Sequence, residues 1–79
     1  MIIKHSIDAR ELDCPQPFLK ARQGLQRLTV GECLEVLFTD SGSIDDFPKM
    51  AKLLGHSLLV FEELAESYRY VLKKGEVEQ

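Results

Sequence analysis

Apolar residues in this 79-residue chain change rhythm as the sequence runs, and the rhythm separates strands from helices. Residues 2–7 are apolar enough for an opening strand, although Lys4 and His5 interrupt its alternation. Over 15–28, Phe18, Ala21, Leu25 and Leu28 recur at three- and four-residue steps and predict a helix, with Lys20, Gln23 and Arg27 turned away from its apolar face. A turn containing Gly31 follows. Over 33–39, Leu34, Val36 and Phe38 alternate with Cys33, Glu35, Leu37 and Thr39, the period of a strand. Turn and capping residues at 40–43 lead to a second helix marked by Ile44, Phe47, Ala51 and Leu54. Its cap is either Ser43 or Asp46, since Pro48 must lie near the helix start, and Gly55 ends it. Two last strands are predicted at 58–61 and 68–73, joined by a hairpin-like loop over 62–67.

The element order is therefore βαβαββ, an α+β fold. A helix between the first two strands predicts that they run parallel through a right-handed crossover, while the final pair is antiparallel. Two amphipathic helices are most simply buried side by side on one face of a four-stranded mixed sheet, giving a two-layer α/β sandwich. A single domain is expected over 1–75, followed by an acidic and disordered tail at 76–79.

Composition narrows the function classes. Apolar residues at 44% and charged residues at 29% are those of an ordinary soluble globule, too small for a deep cofactor cavity. The opening MIIKHSID has neither the apolar core of a signal peptide nor a membrane span, so a cytoplasmic protein without membrane contact is expected. A net charge of −3 with scattered Lys and Arg argues against direct nucleic-acid binding and leaves room for docking on an oppositely charged protein. Cys14, Cys33, His5 and His56 show no CxxC or HxxxH spacing, so no metal site is expected, and a reducing cytosol argues against a disulfide.

The stretch LDCPQPF at 12–18 places Cys14 between Asp13 and two prolines. Proline harms a helix interior because it lacks the N–H that would reach the carbonyl four residues back, but the first turn has no such carbonyl to reach. Pro15 and Pro17 thus fit the first and third helical positions and stiffen the turn, with Gln16 between them and Cys14 expected as the N-cap. Helix-end electrostatics of roughly 0.3–1 kcal/mol would raise the thiolate fraction at neutral pH to about 10–15%. Asp13, a like charge beside the thiolate, opposes this. The expectation is an exposed, moderately reactive thiol. A hydrolase would need a paired histidine and an oxyanion hole, and a disulfide oxidoreductase would need a second cysteine where Pro17 stands. A group carrier needs only one accessible sulfur on a rigid mount. Elsewhere the structural reading prevails: Cys33 as a buried strand residue, His5 and His56 at a strand edge and a turn, Asp40, Asp45 and Asp46 as capping groups, Phe18 and Leu25 as core.

IDARELDCPQPFLKAR, followed by GECLEVLFTD, IDDFPKMAKLLGH and YRYVLKKG, resembles the TusA/SirA-like sulfur-carrier family along nearly the whole chain. The resemblance implies that Cys14 carries sulfur as a persulfide, with Asp13, Pro15, Gln16 and Pro17 as supporting motif residues, and that no organic cofactor is required. It implies a cysteine desulfurase or rhodanese-like sulfur donor and a downstream acceptor protein. The pathway would be tRNA thiolation, sulfur oxidation or molybdenum-cofactor synthesis, with the protein acting as a sulfurtransferase. The competing expectation is a redox-sensitive regulatory module that is modified at Cys14 and passes nothing on. One departure stands out: the family usually has glycine three residues before the cysteine, and this chain has Glu11.

Overall fold

The computed structural model describes residues 2–13 and 15–76. Its order is β1 (Ile3–Ala9), α1 (Gln16–Gln26), β2 (Cys33–Phe38), α2 (Asp46–Leu54), β3 (Ser57–Glu63) and β4 (Tyr68–Lys73), with a single 3-10 turn at Ser41–Ser43 before α2. The four strands form one mixed sheet in the order β1-β2-β4-β3. β1 and β2 are parallel, as the intervening helix predicts, and β4 is antiparallel to both β2 and β3. Both helices contribute to one core with the sheet, the α+β arrangement expected from the sequence.

That core is built from the alternation of the central strands. Leu34, Val36 and Phe38 on β2 stand opposite Leu72, Tyr70 and Tyr68 on β4. Ala21 and Leu25 of α1 and Phe47, Met50 and Ala51 of α2 pack with them in the same buried cluster. Phe38, Phe47 and Tyr70 lie with ring centroids 5.1–5.7 Å apart, a range in which aromatic pairs add to simple area burial. The Tyr70 hydroxyl donates to the Ile44 carbonyl at 2.7 Å, satisfying its polar end and tying the segment before α2 to the sheet.

The residues between these positions on the same strands carry a polar ladder. Ser6 on β1 donates to Glu35 on β2 at 2.6 Å, Arg69 on β4 donates to the other Glu35 oxygen, and Arg69 also reaches Glu62 on β3 at 3.0 Å. One chain of hydrogen bonds thus crosses all four strands. The hydrogen bond from Ser6, followed by that from Arg69, holds the Glu35 carboxyl below the usual range.

Several boundaries differ from the sequence reading. The α1 cap falls on Pro15 rather than Cys14, which lies outside the described residues. Gln16 is the first helical residue and Pro17 the second; the Leu19 N–H donates to the Pro15 carbonyl at 3.0 Å, so neither proline interrupts a helical bond. The α2 cap is Asp45, neither Ser43 nor Asp46, because the 3-10 turn uses 41–43 first. β3 runs on to Glu63, since Glu62 and Glu63 pair with Arg69 and Tyr68. The tail expected to be disordered begins at Glu76; residues 77–79 lie outside the described residues.

At the opposite end of α2, Gly55 takes φ 81°, a left-handed conformation that costs glycine little, and the His56 N–H donates to the Ala51 carbonyl at 2.8 Å. The His56 Nδ1 in turn accepts the Gly75 N–H at 3.1 Å, which requires that nitrogen to be unprotonated. Burial, and then Lys74, hold this imidazole below its ordinary 6.5. The folded chain therefore binds the proton less well than the unfolded chain, so His56 contributes fully above about pH 6.5 and its contribution is lost on acidification. Between about pH 7.5 and 5.5 the urea midpoint should fall further for the parent protein than for His56→Asn, whose side-chain carbonyl still accepts and does not titrate. Equal falls would remove His56 as the titrating group.

Candidate functional site

The connection from β1 to α1 has six residues, 10–15, and contains the motif cysteine. Three features fix its course. Glu11 has φ 69°, the one left-handed non-glycine residue among those described. Its N–H donates to the Thr39 hydroxyl at 2.8 Å, anchoring the connection to the residue just past β2. The Leu12 N–H then reaches the Ala9 carbonyl at 3.3 Å, and the Gln16 N–H reaches the Asp13 carbonyl at 2.7 Å. Cys14 itself lies outside the described residues; its sequence neighbours Asp13 and Pro15 are both exposed.

This geometry explains what a glycine would do at position 11. An L-residue in the left-handed region costs roughly 1–2 kcal/mol because its Cβ crowds the backbone, and glycine is free of that cost. In this chain Glu11 bears it, with Thr39 holding the backbone in place. Asp8, Arg10, Glu11, Thr39, Glu66 and Ser67 line a concavity beside the connection. Within it, hydrogen bonds from the Arg10 guanidinium and backbone bring the Asp8 carboxyl down to about 2.

The motif residues divide between two tasks. Pro17 is buried at the head of α1 and packs the turn onto the domain, while Gln16 is exposed. The Gln16 N–H, one of the donors that could have faced a sulfur anion, is already engaged by Asp13.

A feature not visible in the sequence lies on the other side of Pro15. Pro15, Phe18, Asp46, Lys49, Met50 and Leu53 line a largely apolar groove between the head of α1 and the outer side of α2. Leu53 is 84% exposed, although it occupies a helix whose other face is core. Phe18, read from the sequence as core, is only partly buried and contributes to both core and groove. The signal that could have found the groove was Leu53 itself, an apolar residue off the Phe47–Met50–Ala51–Leu54 stripe. Cys33 is buried at 4% exposure at the start of β2, as expected. His5 and His56 occupy β1 and the turn after α2, in separate parts of the chain from the 10–15 connection.

A βαβαββ two-layer domain with CPxP at the head of its first helix defines a compact class of small proteins. A family model described as sulfurtransferase TusA matches residues 5–74, and the chain belongs to this family. It is 37% identical over 68 residues to the sulfur carrier protein TusA of Allochromatium vinosum, covering 86% of this chain and 90% of that one. It is 41% identical over 69 residues to the putative sulfur carrier protein YrkF of Bacillus subtilis; the match covers 87% of this chain but only 37% of that longer protein. A crystal structure of a SirA-like protein from Desulfitobacterium hafniense superposes with a TM-score of 0.79 at 27% identity, covering 91% of this chain and 99% of that one.

Because Glu11 holds a left-handed backbone, Glu11→Gly should raise the unfolding free energy by about 1 kcal/mol, while Glu11→Ala should not. Chemical denaturation of the three proteins checks this. A destabilised glycine variant would show that the Glu11 side chain contributes more than its backbone geometry costs.

Proposed function

We propose that this protein is a sulfur carrier that holds sulfane sulfur as a persulfide on Cys14 and passes it from a donor to an acceptor protein. The observation that supports it most is the coincidence of three things at the head of α1: the CPxP motif of a TusA-family chain, a connection fixed by Glu11 and Thr39, and an exposed apolar groove beginning at Pro15. A carrier needs its sulfur where two larger proteins can reach it in turn, and an apolar groove that begins at Pro15, the residue after Cys14, gives them a place to dock.

In the loading step the Cys14 thiolate attacks the outer sulfur of a donor persulfide. An S–S bond forms at Cys14, the donor S–S bond breaks, and the donor cysteine leaves as a thiolate. Unloading repeats the exchange, with an acceptor thiolate attacking the outer sulfur and Cys14 as the leaving group. Each step exchanges one S–S bond for another, so neither needs an external oxidant or reductant. The donor is a cysteine desulfurase or a rhodanese-like protein, the setting is the cytoplasm, and thiolation of tRNA, sulfur oxidation and cofactor synthesis are the pathways such an acceptor would serve.

Incubation with a cysteine desulfurase and cysteine should add the mass of one sulfur atom, seen by intact mass spectrometry under non-reducing conditions. The addition should persist in Cys33→Ser, because Cys33 is buried, and vanish in Cys14→Ser. An unchanged parent mass would contradict the reading with that class of donor, and loading at Cys33 would contradict the choice of sulfur. Leu53→Asp places a charge in the groove at a solvent-exposed site, so it should slow loading about tenfold, the effect of losing one well-buried leucine contact, while leaving thermal stability unchanged.

A further inference from the structure

The flank of α1 that turns away from α2 carries a second concavity. His5 and Ile7 of β1 and Lys20, Gln23, Gly24 and Arg27 of α1 line a groove along the edge of the sandwich. Its floor exists because residue 24 is glycine: a Cβ there would lie 2.6 Å from Ile7 Cδ1, 3.1 Å from Leu34 Cδ1 and 3.4 Å from His5 Cδ2. Glycine inside a helix costs roughly 1 kcal/mol relative to alanine, and here it lets helix and edge strand approach closely beneath an open channel.

The groove is cationic in a chain that is anionic overall. No Asp or Glu occurs anywhere in 14–31, while the rest of the chain holds all 13 carboxylates. Among the described residues neither Lys20 nor Arg27 forms an ion pair, and no carboxylate lines the groove. Seven residues apart on a helix, Lys20 and Arg27 stand about 10 Å apart along its axis, with the Gln23 amide between them. In an extended peptide, side chains on one face repeat every 6–7 Å or so, and flexible Glu, Lys and Arg side chains bridge the difference.

The cationic stretch is also short. Lys20 and Arg27 are the lysine and arginine that line it, and Arg10 at the end of β1 is already paired with Asp8. A continuous polyanion such as a nucleic-acid strand needs a longer run of cations, whereas a short acidic segment does not. From this segregation of charge we infer that the α1–β1 groove is a docking site for a short acidic segment of a partner protein, separate from the apolar groove at Pro15. The inference does not rest on sulfur transfer.

Octaglutamate is the probe, added to the full-length protein labelled with 15N at low salt. Amide shifts should saturate and map to His5, Lys20, Gln23, Gly24 and Arg27, and should weaken as salt is raised. The double substitution Lys20→Glu, Arg27→Glu should lower the apparent affinity at least tenfold. Lys20→Gln, Arg27→Gln supplies a milder test should the reversal perturb folding. Shifts spread over the whole surface, or none at all, would overturn the inference. So would single-stranded oligouridylate binding the same residues more tightly than octaglutamate, or inorganic phosphate producing the same shifts at equal concentration.

Discussion

The tightest constraint on this molecule is the six-residue passage from the end of β1 to the head of α1. A parallel β1–β2 pair obliges the chain to leave the sheet, cross over as a helix and return, and the turn out of β1 must be made at the sheet's end. Here it is made by a left-handed Glu11 whose N–H is held by the Thr39 hydroxyl, just past the adjacent end of the neighbouring strand. Pro15 and Pro17 then set the direction of the helix without interrupting its hydrogen bonds. The motif cysteine falls within this passage in sequence, between the exposed Asp13 and Pro15.

Helix α1 consequently has three different flanks. Ala21 and Leu25 enter the core, Phe18 at its head opens toward α2, and Lys20, Gln23 and Arg27 border β1. The apolar groove follows from Leu53 and Met50 meeting Phe18 and Pro15, and the cationic groove follows from Gly24 letting the edge strand close in. One short amphipathic element therefore sets both the stability of the sandwich and the surfaces from which partners could read it.

Much of this was legible in the sequence because the two periods are clean. The alternation of Leu34, Val36 and Phe38, and the three- and four-residue steps of Ala21, Leu25 and Leu28, fixed the strand and helix faces that the core uses. What was not legible depended on neighbours distant in sequence. Glu62 and Glu63 look like loop residues until Arg69 and Tyr68 are seen opposite them. Val71 is fully buried outside the helix-packed core cluster, shielded by its position on a central strand. The helix caps at Pro15 and Asp45 differ from the expected ones by a residue or two, the scale on which local propensity competes with turn geometry. The left-handed backbone at Glu11 could not be read from an acidic residue, since non-glycine residues rarely adopt it.

The central claim is that sulfur moves through Cys14 and does not merely stop there. Single-turnover transfer tests it most directly: the protein is loaded with radiolabelled sulfur, separated from the donor and mixed with candidate acceptor proteins carrying a free thiol. Label leaving Cys14 and appearing on an acceptor, with Cys14 regenerated as a thiol, is the result this account predicts. Label that reaches Cys14 and remains there with every acceptor would contradict it and identify the protein as a modified regulatory module.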